Sequence, residues 1–369
     1  MTRCDALICG GGPSGSTLAA RLVKQGLDVI VLDKAEFPRD KVCAGWVTPQ
    51  VVQALGLDLA DYGRARTLQP IERFATGLIG RRPIETAYDA PVSYGILRRE
   101  FDDYLLRRSG ARLRLGEPLD LLARTPDGWL ANGEIEARLL IGAGGHFCPV
   151  AREIGAALGK SETVVAAQEV EFEIPEDCEC AVAPEAPELY FCPDLSGYAW
   201  AFRKGRYLNV GLGREDSHRL QEHVQAFCEF LRQSGKLPAK IPGRFKGHAY
   251  LLYPHALRPV VAECALLIGD AAGLAYAQSG EGIRPAVESA ILAAGTIAAA
   301  AGNYARDRLA PYAAALAARF GARAEQVPAG NSSRLRTAVG RWCLANRWFA
   351  RHVVLDRWFL HAQEPALQT

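Results

Sequence analysis

Gly10, Gly12 and Gly15 stand at the spacing Gly-x-Gly-x-x-Gly, and a carboxylate, Asp33, follows about twenty residues later. The first glycine permits a tight turn, the second lets backbone approach a pyrophosphate, and the third lets a helix pack closely on a strand. A helix starting there would turn its free N–H groups toward the phosphates. Asp33 suits ribose hydroxyls and argues against a 2′-phosphate. A glycine triad alone is a weak signal. Here its surroundings agree: Ala6-Leu7-Ile8-Cys9 reads as a buried strand, Leu18, Ala19, Leu22 and Val23 recur at helical spacing, Gly26 ends the helix, and Val29-Ile30-Val31-Leu32 is a second buried strand. The chemistry implied is the binding of an adenine dinucleotide.

A second signature lies far downstream. Ala265-Leu266-Leu267-Ile268 is an apolar strand ending in Gly269-Asp270, followed by Ser279-Gly280-Glu281-Gly282-Ile283 and a long alanine-rich helix. Gly280 and Gly282 allow close backbone approach, and the positive helix end would stabilise negative charge on a reduced ring system. This pair of signatures resembles FAD enzymes of the aromatic-hydroxylase fold. Within that fold the chain most resembles the geranylgeranyl reductase family, through Lys41-Val42-Cys43-Ala44-Gly45, Arg98-Arg99-Glu100-Phe101-Asp102 and Tyr198-Ala199-Trp200-Ala201-Phe202. The resemblance runs over residues 6–300. It implies FAD contacts at Gly10, Gly12, Pro13, Ser14, Gly15, Asp33, Lys34, Cys43, Ala44, Arg98, Leu119, Asp270, Gly280, Gly282 and Ile283, with Leu119 expected in the strand after the Arg98 helix. It also implies Cys43 as the catalytic residue and Tyr198 and Trp200 as walls of the substrate pocket.

Two departures stand out. Where related flavoproteins carry Ala-Asp-Gly, this chain has Gly142-Ala143-Gly144-Gly145, without a carboxylate, which puts a direct NAD(P)H-driven hydroxylase cycle in doubt. The family's Cys-Gly is Cys43-Ala44. The electron donor stays open between NAD(P)H, acting directly or indirectly, and a separate reductase or ferredoxin.

Several residues have two readings. Cys43 is a proton donor or shaping group beside the flavin, or a small buried hydrophobe. Tyr198 and Trp200 alternate on a strand and share one face, which roofs a pocket or packs in the core. His146 reads better as a partly solvated loop residue than as a cofactor contact. Glu281 touches the active site or anchors its loop by backbone hydrogen bonds.

Length and composition frame these motifs. A chain of 369 residues suits two cores. The expected fold is α/β with a Rossmann-type FAD-binding domain (1–65, 95–160 and 256–305), an antiparallel-sheet substrate domain (66–94 and 161–255) and a C-terminal helical segment (306–369). The sheet follows from strand-like alternation at 164–174 and 189–213. With 43 basic and 41 acidic residues, the net charge of +2 gives no overall field for nucleic acid. Ten scattered cysteines read as reduced thiols of a cytoplasmic protein, and the Cys178-x-Cys180 pair is too close for structural zinc, so no metal is expected. The alanine-rich stretch carries Glu288 and is not expected to span a membrane.

In the tail, Leu335, Val339, Trp342, Asn346, Phe349 and Val353 define one helical face amid Arg334, Arg336, Arg341, Arg347, Arg351 and Arg357. Such a helix packs on its own protein or lies on an anionic membrane. Function follows from the resemblance: an FAD-dependent oxidoreductase reducing carbon–carbon double bonds of an isoprenoid or other small apolar substrate. The alternatives are a flavin monooxygenase of an aromatic or polyketide-like substrate and a non-catalytic, FAD-stabilised lipid-binding protein.

Overall fold

Thr2–Cys9, whose last four residues are buried, lies at the middle of the larger sheet because apolar side chains cover both of its faces. It pairs in parallel with Val29–Asp33 on one side and Ile135–Gly142 on the other. Arg112–Leu115 and Ala265–Leu267 extend the parallel run outward. A computed structural model of the chain describes residues 1–156, 164–215, 218–321, 323 and 334–367, with the backbone alone at 334–337.

Two helices cover one face of this sheet. Pro13–Lys24 follows the glycine turn directly, and Ile283–Ala300 packs against it. The second helix is apolar and long enough to cross a membrane by composition, yet most of it is buried in the protein core. Its alanines, among them Ala290, Ala293 and Ala294, let it approach the neighbouring elements closely.

A second sheet has seven strands. Its order is Lys246–Leu251, Val164–Glu173, Tyr207–Arg214, Gly197–Lys204, Glu188–Phe191, Arg73–Leu78 and Ile84–Ala87. The strand positions agree with the alternation in the sequence, but the sheet is not purely antiparallel. Arg73–Leu78 runs parallel to Glu188–Phe191, since the two are distant in sequence and no hairpin constrains their direction. Trp46–Val47, Ser93–Ile96 and Leu68–Ile71 form a small third sheet.

The tail departs from a single helical face. Arg334–Leu344 is helical, but Asn346 caps a new helical start by accepting from Phe349 N at 3.1 Å, so the periodicity breaks between them. Val339 and Trp342 are exposed, whereas Val354, Leu355 and Phe359 in the following π-helix, Ala350–Phe359, are buried against the second sheet. The expected Leu335 contact, with the Arg334 and Arg336 side chains, lies outside the described residues, as does the domain boundary expected at 160–161.

Candidate active site

The glycine turn behaves as its spacing requires. Gly10 adopts φ +120°, and a Cβ there would meet Ala143 O at 2.3 Å; a Cβ on Gly15 would meet Gly10 O at 1.9 Å. Gly15 therefore packs helix on strand and does not face the cavity beyond. The helix at Pro13 starts at Gly12 with no side chain capping it. Asp33 braces the turn: Oδ2 accepts from Gly11 N at 2.7 Å and Oδ1 from Ala35 N at 2.9 Å. A carboxylate oxygen has further lone pairs, so it can bind a ribose as well.

From this turn a cavity of about 720 Å³ runs toward Asp270. Gly10, Gly12, Pro13, Ser14, Asp33, Lys34, Cys43, Arg98, Leu119, Asp270, Gly280, Gly282 and Ile283 all line it. Leu119 reaches it from the loop after Arg112–Leu115 rather than from a strand, because that strand ends at Gly116, in a left-handed conformation. Four cations among the described residues border the cavity: Lys34, Arg39, Lys41 and Arg98. Arg98 is held by a bidentate pair with Asp102, at 2.8 and 2.7 Å, and Arg39 approaches the same carboxylate at 3.2 Å. Burial, with Arg98 and Arg39 nearby, pulls the Lys41 ammonium below its usual range, although Asp270 opposes this.

A second cavity, of about 120 Å³, opens beside the first and is mainly apolar. The two share Val42, Cys43, His248, Tyr250, Gly280, Gly282 and Ile283 as walls. Tyr198 and Trp200 do face this space, together with Trp46, Phe202 and Phe359. Tyr198 OH donates to Ser279 O, and Trp200 Nε1 donates to Asn209 Oδ1 at 2.7 Å, so both polar tips are satisfied within the wall. Ala44 lines this second cavity and not the larger one.

Along 79% of its length the chain is 31% identical to the menaquinone reductase of Mycobacterium tuberculosis, covering 75% of that protein. The chain belongs to the geranylgeranyl reductase family. It is similar, too, to the geranylgeranyl diphosphate reductase of Rhodobacter capsulatus, at 30% identity over 76% of this chain and 71% of that one. A geranylgeranyl bacteriochlorophyll reductase-like protein of known structure from Thermoplasma acidophilum shares the fold, with a TM-score of 0.74 at 21% identity over 94% and 88% of the two chains. Residues 8–63 match the model of the NAD(P)-binding Rossmann-like domain.

Like its family, the chain is an FAD-dependent oxidoreductase. Its residues fit that cofactor. Arg39 Nη1 is buried without a hydrogen-bond partner, and Arg39 Nη2 lies 3.6 Å from where a Cβ of Gly12 would be, at the uncapped helix start. A guanidinium with one unpartnered nitrogen beside an uncapped helix start is what a pyrophosphate would satisfy.

Within this geranylgeranyl reductase relative, His146 is not a solvated loop residue. It is buried because Arg258 donates to its carbonyl at 2.9 Å and sits 3.2 Å from Nδ1. Glu281 takes both of its expected parts: it lines the apolar cavity, and its Oε1 accepts from Arg284 N at 3.1 Å.

Sequence reasoning missed the polar cluster on the second sheet. Glu169 Oε1 accepts from Cys43 N; Lys204 donates to Ala44 O at 2.8 Å, to Ile96 O at 3.1 Å and to Glu171. Asn209 Nδ2 donates to Cys43 O at 3.3 Å. The available signal was Glu169 and Glu171 breaking an apolar strand on one face, where a core strand would carry hydrophobic residues. Burial raises the Glu169 carboxyl to about 7, although Cys43 N–H and Lys204 oppose it; burial raises Glu281 likewise to about 7. The neighbouring His248 ring is pushed down to about 4 by burial and by Lys41, which lies 3.4 Å away.

Proposed function

We propose that the chain reduces an isolated carbon–carbon double bond in an isoprenoid or similar apolar chain. The observation that carries this reading is the aromatic-walled cavity meeting the cofactor cavity at Cys43, Gly280, Gly282 and Ile283. An apolar wall of this kind holds hydrocarbon by area rather than by hydrogen bonds, and it excludes water from the reacting bond. The names of the menaquinone and geranylgeranyl diphosphate reductases agree, since both molecules carry isoprenoid chains.

When bound, FAD supplies the hydride, chemistry that no side chain provides. The chain's own part is placement. Arg39 and the helix start at Gly12 hold the pyrophosphate, Asp33 the ribose, and Asp270 the ribityl chain; Cys43 lies at the junction with the substrate cavity. Tyr198, Trp200 and Phe359 align the alkene.

Exposed Trp342 and Trp348 on the Arg-rich tail support contact with an anionic membrane on the cytoplasmic side, where a long isoprenoid would be presented. Co-sedimentation with vesicles containing anionic lipid, compared with neutral vesicles, tests that contact.

The function is tested by reducing the protein anaerobically and mixing it with geranylgeranyl diphosphate, a menaquinone or oxygen. Rapid flavin reoxidation by either isoprenoid, with a product two hydrogens heavier, supports the reading. Substrate-dependent oxygen insertion instead would make the chain a monooxygenase, and no productive reaction with any of them would make it a binding protein.

A further inference from the structure

Reducing an alkene takes a hydride on one carbon and a proton on the other, and an acid on the wall across the substrate from the flavin is placed to deliver that proton. Among the described residues, two carboxyl groups line the apolar cavity, Glu169 and Glu281. Glu281 stands between Gly280 and Gly282, both walls of the cofactor cavity, and its Oε1 is engaged at the helix start by Arg284 N at 3.1 Å. Glu169 projects from Val164–Glu173, on the same sheet as Tyr198 and Trp200, and borders the apolar cavity alone.

We propose that Glu169 is the catalytic proton donor of the double-bond reduction. This rests on the reading of the chain as an alkene reductase. One carboxyl oxygen is fixed by the Cys43 N–H, which ties the acid to the loop at the cofactor. Only 5% of the residue is exposed, and it shares the apolar cavity wall with Trp200, Tyr198 and Ala167 while Asn209 and Lys204 face it on the polar side. Lys204 pairs with Glu171 beside it, and burial lets Glu169 keep its proton up to about pH 7. A neutral carboxylic acid in an apolar wall has a proton to give and no water to lose it to.

The step balances. The hydride from reduced FAD forms a C–H bond at one alkene carbon and leaves the flavin oxidised. The π pair takes the Glu169 proton at the other carbon, and a carboxylate remains. Lys204 and the Cys43 N–H stabilise that carboxylate, and Glu171 opposes it. Other titratable groups bordering the same cavity are the Cys43 thiol, the Tyr198 and Tyr250 phenols, His248 and Glu281, and Lys246 pairs with the acid in register on the neighbouring strand.

The test compares the wild type with Glu169→Gln and Glu169→Asp at matched FAD occupancy, using geranylgeraniol as the alkene. The reduced proteins are mixed with it anaerobically and flavin reoxidation is followed between about pH 5.5 and 9. The expected result is a wild-type rate that falls above about pH 7, a loss of ~100-fold or more in the Gln variant, as for removal of a general acid, and partial recovery with a displaced break in the Asp variant. Two further readouts do not depend on turnover. Saturated phytanol should perturb the flavin spectrum of the oxidised Gln variant with an affinity within about threefold of wild type, since area and not the acid binds the chain. Infrared titration should show protonated carboxyl bands that persist to about pH 7 in the wild type and lose one carboxyl's share of intensity in the Gln variant, Glu281 supplying the remainder in both.

If the wild type itself ignores the alkene, the alkene-reductase reading fails. If the wild type reacts and Glu169→Gln matches it within about threefold with the same pH break, Glu169 is not the donor. Should the Gln variant fail to retain FAD, an unshifted break in Glu169→Asp overturns the assignment just as firmly.

Discussion

Glu169→Gln also makes a prediction about stability that is independent of any substrate. In the unfolded chain this carboxyl ionises near 4.5, whereas burial lets it keep its proton to about 7 in the folded protein. Between those values the folded state binds the extra proton, so raising the pH favours unfolding. The contribution is fully present below about 4.5 and has been lost above about 7. The full difference corresponds to about 3 kcal/mol. Glutamine occupies nearly the same volume, accepts the Cys43 N–H through its carbonyl oxygen and does not ionise.

The variant should therefore gain stability relative to the wild type as the pH rises, by roughly 2 to 3 kcal/mol between pH 5 and pH 8. Urea unfolding of both proteins at the two pH values, with the same excess of FAD, measures this. The comparison cancels Glu281, which burial raises in the same direction and which both proteins share. Stability differences that stay constant from pH 5 to pH 8 would refute the claim that this carboxyl is buried and neutral.

Four more outcomes follow from the site. Asp33→Ala removes the acceptor of the Gly11 N–H, and loss of a charged hydrogen bond of about 1.5–3 kcal/mol should weaken FAD binding ~10- to 100-fold in a fluorescence titration of the apoprotein. Trp200→Ala should keep FAD yet slow alkene-dependent reoxidation, while Cys43→Ser should lower turnover more than substrate affinity if the thiol joins the chemistry; parent-like kinetics would remove each from its assigned part. Because Gly144 stands where related enzymes carry a carboxylate, NADPH alone should reduce the flavin slowly compared with a chemical reductant, and fast saturable reduction in stopped flow would contradict this.

The cofactor half was legible because its constraints are local. The turn from Gly10 to Gly15 needs glycine for reasons a few residues apart in sequence, and Asp33 closes on Gly11 across one strand and one helix. Cys43 and Asp270 were reached through motifs, and the cavity between them confirms that they share a space. The substrate half was less legible. Phe359 arrives from the far end of the chain, and its contact with Tyr198, at 5.2 Å between ring centres, has no signal in periodicity. His146 was misjudged because the cation that buries it, Arg258, is 112 residues away. The tail was taken as one helix since its apolar spacing runs on past Asn346, where a capping side chain restarts the backbone.

The same distance effect explains why the cofactor loop and the substrate wall are linked. Cys43 and Ala44 belong to the segment that meets FAD, yet their backbone groups are held by Glu169, Asn209 and Lys204, all on the second sheet. Lys204 is fully buried, and its two carbonyl partners, Ala44 O and Ile96 O, have no water to replace it. Trp200 is joined to this cluster through Asn209. A substitution in the substrate wall is therefore transmitted to the loop at the flavin through two hydrogen bonds. A change in FAD affinity on altering Asn209 or Lys204 marks that coupling, whereas a change in alkene reactivity at full FAD occupancy marks the wall itself. This is why occupancy must be matched before any of these residues is assigned to the chemistry.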